Sequence, residues 1–105
     1  MDIGGCAGSE PFALRVLGDS MEPEFEHGCV IVIEADGVVK DGAYVLAVVG
    51  EEYIFRQLVI DERGRYFLKP LNPAYETVEI PGLEAIKGVV VQKAGKRRRD
   101  RKHYV

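Results

Sequence analysis

Between residues 12 and 91 no apolar pattern is allowed to run for long. The apolar stretches are short, rich in valine, isoleucine, tyrosine and phenylalanine, and each is ended by glycine, proline or an Asp-Gly pair. A run such as Cys29-Val30-Ile31-Val32-Ile33 is long enough for one buried strand and too short for a helix. No segment of about a dozen residues follows the 3.6-residue period of an amphipathic helix. Strands are therefore expected over residues 12–17, 29–33, 43–49, 53–60, 65–69, 77–80 and 85–91. Gly50-Glu51-Glu52 and Asp61-Glu62-Arg63-Gly64 are tight enough to fold the middle three into an antiparallel meander. Pro70-Leu71-Asn72-Pro73-Ala74-Tyr75 cannot be regular structure, because two prolines remove donors and fix φ, so it reads as a rigid loop. Short strands between turn signals imply a mostly β fold, packed into a barrel-like arrangement or an orthogonal sandwich.

At 105 residues and 47% hydrophobic, the chain supports one modest core. It divides into a glycine-rich leader over 1–11, a β domain over 12–92 and a basic tail over 93–105. The tail sets seven Lys and Arg residues against Asp100, a charge of +6, so the remainder carries −9 of the net −3. No apolar run approaches the roughly 18 residues that span a bilayer, and no charged segment leads into an apolar one at the N-terminus. The expectation is a soluble protein, cytoplasmic in a bacterium, with no membrane contact. Cys6 and Cys29, without a secretory signal, are expected to be reduced thiols. His27 and His103 have no ligand-type neighbours at metal spacing, so no metal and no cofactor is expected.

Function points first to Gly18-Asp19-Ser20-Met21-Glu22-Pro23. Gly18 frees the backbone for a sharp turn and Pro23 blocks continuation of the strand, so Ser20 is held where a strand becomes a loop. The plainer reading is a β-turn with an exposed serine.

The wider pattern favours the chemical reading. Val16-Leu17-Gly18-Asp19-Ser20-Met21-Glu22-Pro23, His27-Gly28, Gly42-Ala43-Tyr44-Val45-Leu46-Ala47, Tyr53-Ile54-Phe55-Arg56-Gln57-Leu58, Phe67-Leu68-Lys69-Pro70-Leu71-Asn72-Pro73-Ala74-Tyr75 and Ile86-Lys87-Gly88-Val89-Val90-Val91 occur in this order. Over residues 12–92 the chain thereby resembles the LexA/UmuD family of self-cleaving serine peptidase domains, the C-terminal half of SOS and phage repressors. The resemblance implies an all-β fold, a homodimer, and repressor, polymerase or recombinase-filament partners. It also implies a Ser-Lys dyad that cuts an Ala-Gly or Cys-Gly bond in the protein's own N-terminal segment. Ser20 matches the nucleophile, with Gly18, Asp19, Met21 and Pro23 shaping its turn, and Ala7-Gly8 matches the cleavage bond. Only eleven residues separate Gly8 from Ser20, shorter than the family's cleavage segment.

The position of the dyad lysine is occupied by Arg56. A serine hydroxyl needs a neighbouring base to take its proton. Holding a lysine neutral at pH 7 costs about 4–5 kcal/mol, which burial can supply, whereas an arginine would need about 7 kcal/mol or more. Arg56 can therefore bind an oxyanion or carboxylate but cannot deprotonate Ser20. Two glycine-aspartate turns of the family also differ, standing here as Gly28-Cys29 and Gly42-Ala43. The expected function is a stand-alone peptidase-fold domain with a broken dyad, acting by dimerisation or partner binding in stress-response or phage-type regulation.

Two alternatives carry weight. One is an active serine peptidase with its base relocated to Lys69 or Lys40; a signal-peptidase-like variant of it shares the Ser-Met-x-Pro turn but lacks the membrane anchor. The other is a nucleic-acid-associated module using Arg97, Arg98, Arg99, Arg101 and Lys102 to neutralise phosphates. The bland reading of that tail is a solvated segment lying on the acidic body.

Overall fold

The computed structural model describes residues 10–94 and 102–104. Their strands are β1 (Phe12–Arg15), β2 (Val30–Glu34), β3 (Tyr44–Val49), β4 (Glu52–Ile60), β5 (Tyr66–Lys69), β6 (Val78–Ile80), β7 (Ile86–Ala94) and β8 (Lys102–His103), with a short 3-10 turn at Leu83–Ala85. The mostly β expectation holds, and strand positions agree within a few residues. All pairings are antiparallel, in the order β1-β2-β7-β3-β4-β5-β6, so the sheet stays open with β1 and β6 at its edges.

β3 and β7 are the middle of the molecule because both are apolar on both faces. Leu46 and Val90 belong to one buried cluster with Val16, Met21, Phe25, Cys29, Ile31 and Ile33. Val45, Ala47 and Val89, their sequence neighbours, belong to a second cluster with Leu58, Leu68 and Ile80. Successive side chains of a strand point to opposite faces, so one sheet separates two cores. Register shifts opposite Val32/Ile33 and Leu46/Ala47 place bulges in β7, which sharpen its twist.

The turns follow from their residues. Gly50 and Glu51 both have positive φ, 56° and 72°, which gives the β3–β4 hairpin a two-residue turn whose twist suits its strands. In the next turn Asp61 Oδ1 accepts hydrogen bonds from the Arg63 and Arg65 amides at 2.9 and 2.8 Å. Those bonds to the ionised form, that of the Arg65 amide foremost, hold the Asp61 carboxyl below its ordinary pKa.

The basic segment joins the sheet at both of its described ends. β7 runs through Lys93 to Ala94, past the boundary expected at residue 92, and β8 pairs with β7 through Gln92↔His103 and Lys93↔Lys102. Arg97, Arg98, Arg99 and Arg101 lie outside the described residues, as do Cys6, Ala7 and Gly8. Cys29 is buried and free.

Candidate functional site

The Ser20 turn is fixed from below by hydrophobic burial. β1 continues into Val16, whose N–H donates to Cys29 O at 2.8 Å and whose carbonyl accepts from the Gly28 N–H at 2.7 Å. Gly18 then takes φ of +91°, a conformation L side chains rarely adopt. Beyond it, Met21 and Phe25 are completely buried and anchor the turn in the first core. The Phe25 N–H donates to Met21 O at 2.9 Å and the Glu22 N–H to Asp19 O at 3.2 Å; the Glu22–Pro23 peptide is cis. Ser20 is thus half-buried between exposed Asp19 and fully buried Met21.

Two neighbouring segments clamp the turn from the sides. The Gly18 N–H donates to His27 Nδ1 at 2.7 Å, so that nitrogen must carry a lone pair. The Asn72 N–H donates to Ser20 O at 3.0 Å, its Nδ2 donates to Asp19 O at 3.1 Å, and its Oδ1 accepts from the Ala74 N–H at 2.9 Å. The Tyr75 hydroxyl donates to Asp19 Oδ1 at 2.5 Å, and that bond raises the phenol's pKa. The rigid loop expected from Pro70 and Pro73 is therefore one wall of the site. Asn72, Tyr75 and His27 were not among the site residues expected from sequence. Asn72-Pro73 is a turn signal, but a turn signal does not say what the turn touches.

Arg56 arrives from β4, where it pairs with Val45. Its Nη1 donates to Ser20 Oγ at 3.0 Å and to Phe55 O at 2.8 Å. Its Cζ lies 5.9 Å from the centre of the Tyr75 ring. Burial pushes the guanidinium pKa down, partly offset by Tyr75. Nε is enclosed and has no hydrogen-bond partner. Lys69 and Lys40 are exposed, and among the described residues no lysine hydrogen-bonds Ser20. Ser20 and Arg56 line a cleft of about 460 Å³ with Asp19, Tyr75, the end of β1 and the start of β4.

The basic segment reaches the same turn by another route. Glu24 Oε2 accepts from Lys102 Nζ at 2.8 Å and from the Tyr104 hydroxyl at 2.5 Å. Lys93 Nζ lies 3.7 Å from that oxygen and donates to Glu24 O at 2.6 Å. Tyr104 also packs on Phe25 and Tyr44, with ring centroids 5.3 Å from each. Lys102, one of the cations expected as phosphate contacts, pairs with Glu24.

Comparison with known proteins agrees with this architecture. The Peptidase S24-like family profile matches residues 5–91. The chain is 42% identical over 98 residues to the HTH-type transcriptional regulator for conjugative element R391 of Providencia rettgeri, covering 87% of this chain and 45% of that protein. It is 42% identical over 88 residues to repressor protein C2 of Salmonella phage P22, covering 78% of this chain and 40% of the repressor. To LexA repressor 1 of Nocardia farcinica it is 37% identical over 79 residues, 71% of this chain and 34% of the repressor. The chain therefore spans less than half the length of these curated relatives. With its β architecture and the serine turn facing β4, the chain belongs to the Peptidase S24-like family, in the company of LexA-type and phage-type repressors.

Proposed function

We propose that this domain is a LexA-like regulatory module whose peptidase architecture serves binding, and whose serine is not activated for attack. The observation that carries the reading is the bond from Arg56 Nη1 to Ser20 Oγ at 3.0 Å. In that bond the serine oxygen accepts. A general base must do the reverse and take the proton from Oγ, and a guanidinium has no lone pair to take it with. Burial lowers the Arg56 pKa, but from an ordinary value that lies far above any working pH.

Ser20 and Arg56 are on this reading a binding pair, with Gly18, Asp19, Met21 and Pro23 holding the serine in place. The module works by dimerisation and by contact with a repressor-type or other regulatory partner, in stress-response or phage-type control. Relatives that are transcriptional regulators and repressors support that setting. A base relocated to Lys69 or Lys40 receives no support from the geometry, since both are exposed and the side chain that reaches Ser20 Oγ is Arg56. The nucleic-acid reading is weakened by the engagement of Lys102 with Glu24.

The test is self-cleavage followed by mass spectrometry across neutral to alkaline pH, in wild type, Ser20→Ala and Arg56→Lys. Wild type is expected to stay intact like Ser20→Ala, and Arg56→Lys to gain Ser20-dependent cutting or labelling by a serine-reactive probe. Release of an N-terminal fragment by wild type but not by Ser20→Ala ends the binding-only reading. So does probe labelling of wild type that Lys69→Ala abolishes.

A further inference from the structure

Arg56 is a partly buried cation without a carboxylate partner among the described residues. Both of its hydrogen bonds leave from Nη1, Nε is enclosed without a partner, and among the described residues no carboxylate pairs with it. A guanidinium carries five N–H donors, so the two on Nη2 remain unused there. Removing a cation from water without a counter-ion is unfavourable, and a site built this way is completed by an anion.

The surroundings specify what kind of anion. One wall of the cleft is β1, an edge strand. Because Val16 spends its N–H and C=O on the β2 side, ladder alternation turns those of Arg15 away from β2. An unpaired strand edge accepts an extended peptide by main-chain hydrogen bonding. Leu14, Leu46, Ile54 and Phe55 give the cleft an apolar lining suited to side chains of a short peptide. Its charges are Arg15, Arg56 and Asp19, and the Asp19 carboxylate is already held by the Tyr75 hydroxyl. Two cations against one carboxylate leave the lining net positive.

From this we infer that the cleft binds the free C-terminal end of a peptide. The terminal carboxylate sits on Arg56 Nη2 and the Ser20 hydroxyl, which accepts from Arg56 and still has its own proton to donate. The residues before it extend along β1, with apolar side chains against Leu14 and Phe55. This inference rests on the reading of Ser20 and Arg56 as a binding pair, and it names the ligand class of that pair.

Fluorescence polarisation tests it on the whole chain, with amino-terminally labelled hexapeptides ending in Ala, Val, Leu or Phe, each as free acid and as C-terminal amide. At least one free acid is expected to bind tenfold or more tightly than its amide. Arg56→Gln should erase that ratio, while Ser20→Ala should reduce it several-fold. Equal binding of acid and amide, or no saturable binding of any free acid at millimolar protein, overturns the inference. The wild-type ratio is decisive even if Arg56→Gln fails to fold, which a thermal melt reports. Mass spectrometry of the same peptides separates the two readings. Cut peptides refute the binding-only function, whereas the acid-to-amide ratio alone decides the ligand class.

Discussion

Replacing Tyr104 by phenylalanine removes one hydroxyl and tests whether the C-terminal strand holds the serine turn. In the native chain that hydroxyl and Lys102 Nζ share Glu24 Oε2, and Glu24 lies four residues beyond Ser20 in the same turn. A hydrogen bond to a charged group contributes about 1.5–3 kcal/mol. The Glu24 side chain is 25% exposed, so solvent screening brings the expected loss for Tyr104→Phe to about 1–2 kcal/mol. In a domain of this size each kcal/mol lowers Tm by about 4–8 °C. The ring contacts with Phe25 and Tyr44 survive the change, so the loss reads the hydroxyl alone.

The same cluster sets a pH dependence. Burial pushes the Glu24 carboxyl up, but the hydrogen bonds from Lys102 and Tyr104, with the charge of Lys93, hold it below its ordinary value of 4.5. A carboxyl depressed in the folded state contributes stability that is complete above its unfolded pKa. That contribution is lost as pH falls through the folded pKa. Urea melts from about pH 6 down to 3 should therefore show wild type losing stability below about pH 5, with a shallower fall in Glu24→Gln. Asp61, also depressed, remains in that variant and keeps some slope. In a double-mutant cycle, Glu24→Ala and Tyr104→Phe should together cost about 1–2 kcal/mol less than the sum of the two. Additivity within about 0.5 kcal/mol, or an unchanged acid slope in Glu24→Gln, would refute the latch.

Two further outcomes test the packing and the turns. A Cβ on Gly88 would stand 2.3 Å from Ile33 Cγ2, so Gly88→Ala should destabilise by about 1–3 kcal/mol in urea melts through forced displacement of a fully buried side chain. Glu51 holds φ of 72° in the β3–β4 turn, so Glu51→Gly should raise stability by about 1 kcal/mol, read as a higher urea midpoint at unchanged slope.

The serine turn is tied into the molecule from three directions: Met21 and Phe25 from the core, the loop of Asn72 and Tyr75 from one side, and β8 through Glu24. A turn held so firmly presents Ser20 and Arg56 as a preformed surface, which suits binding because little ordering is left to be done when a ligand arrives.

Much of the architecture was legible without coordinates because its causes are local. Short β-branched runs with no helical period, cut by glycine and proline, leave little choice but strands, and Asp61 to Gly64 and Gly50 carry their turn chemistry in their own residues. The chemistry of Arg56 was also legible, since no environment makes a guanidinium a base at working pH, and its position could be set by resemblance. What sequence could not supply was contact between distant residues. Tyr75 meets Asp19 across 56 positions and Tyr104 meets Glu24 across 80. Such pairings depend on how the strands stack and where β7 bulges, and no periodicity encodes them. The basic segment shows the difference most clearly. Composition left it either a phosphate-binding cluster or a solvated segment lying on the acidic body, and only the antiparallel placement of β8 on β7 brought Lys102 and Tyr104 to Glu24. Sequence alone thus determined that a serine stands on a strand-ending turn without a lysine at the usual place. Tertiary structure decided that Arg56 reaches it, that a cleft opens beside it, and which residues hold it still, because each of these is a distance between chain segments that only the folded sheet brings together.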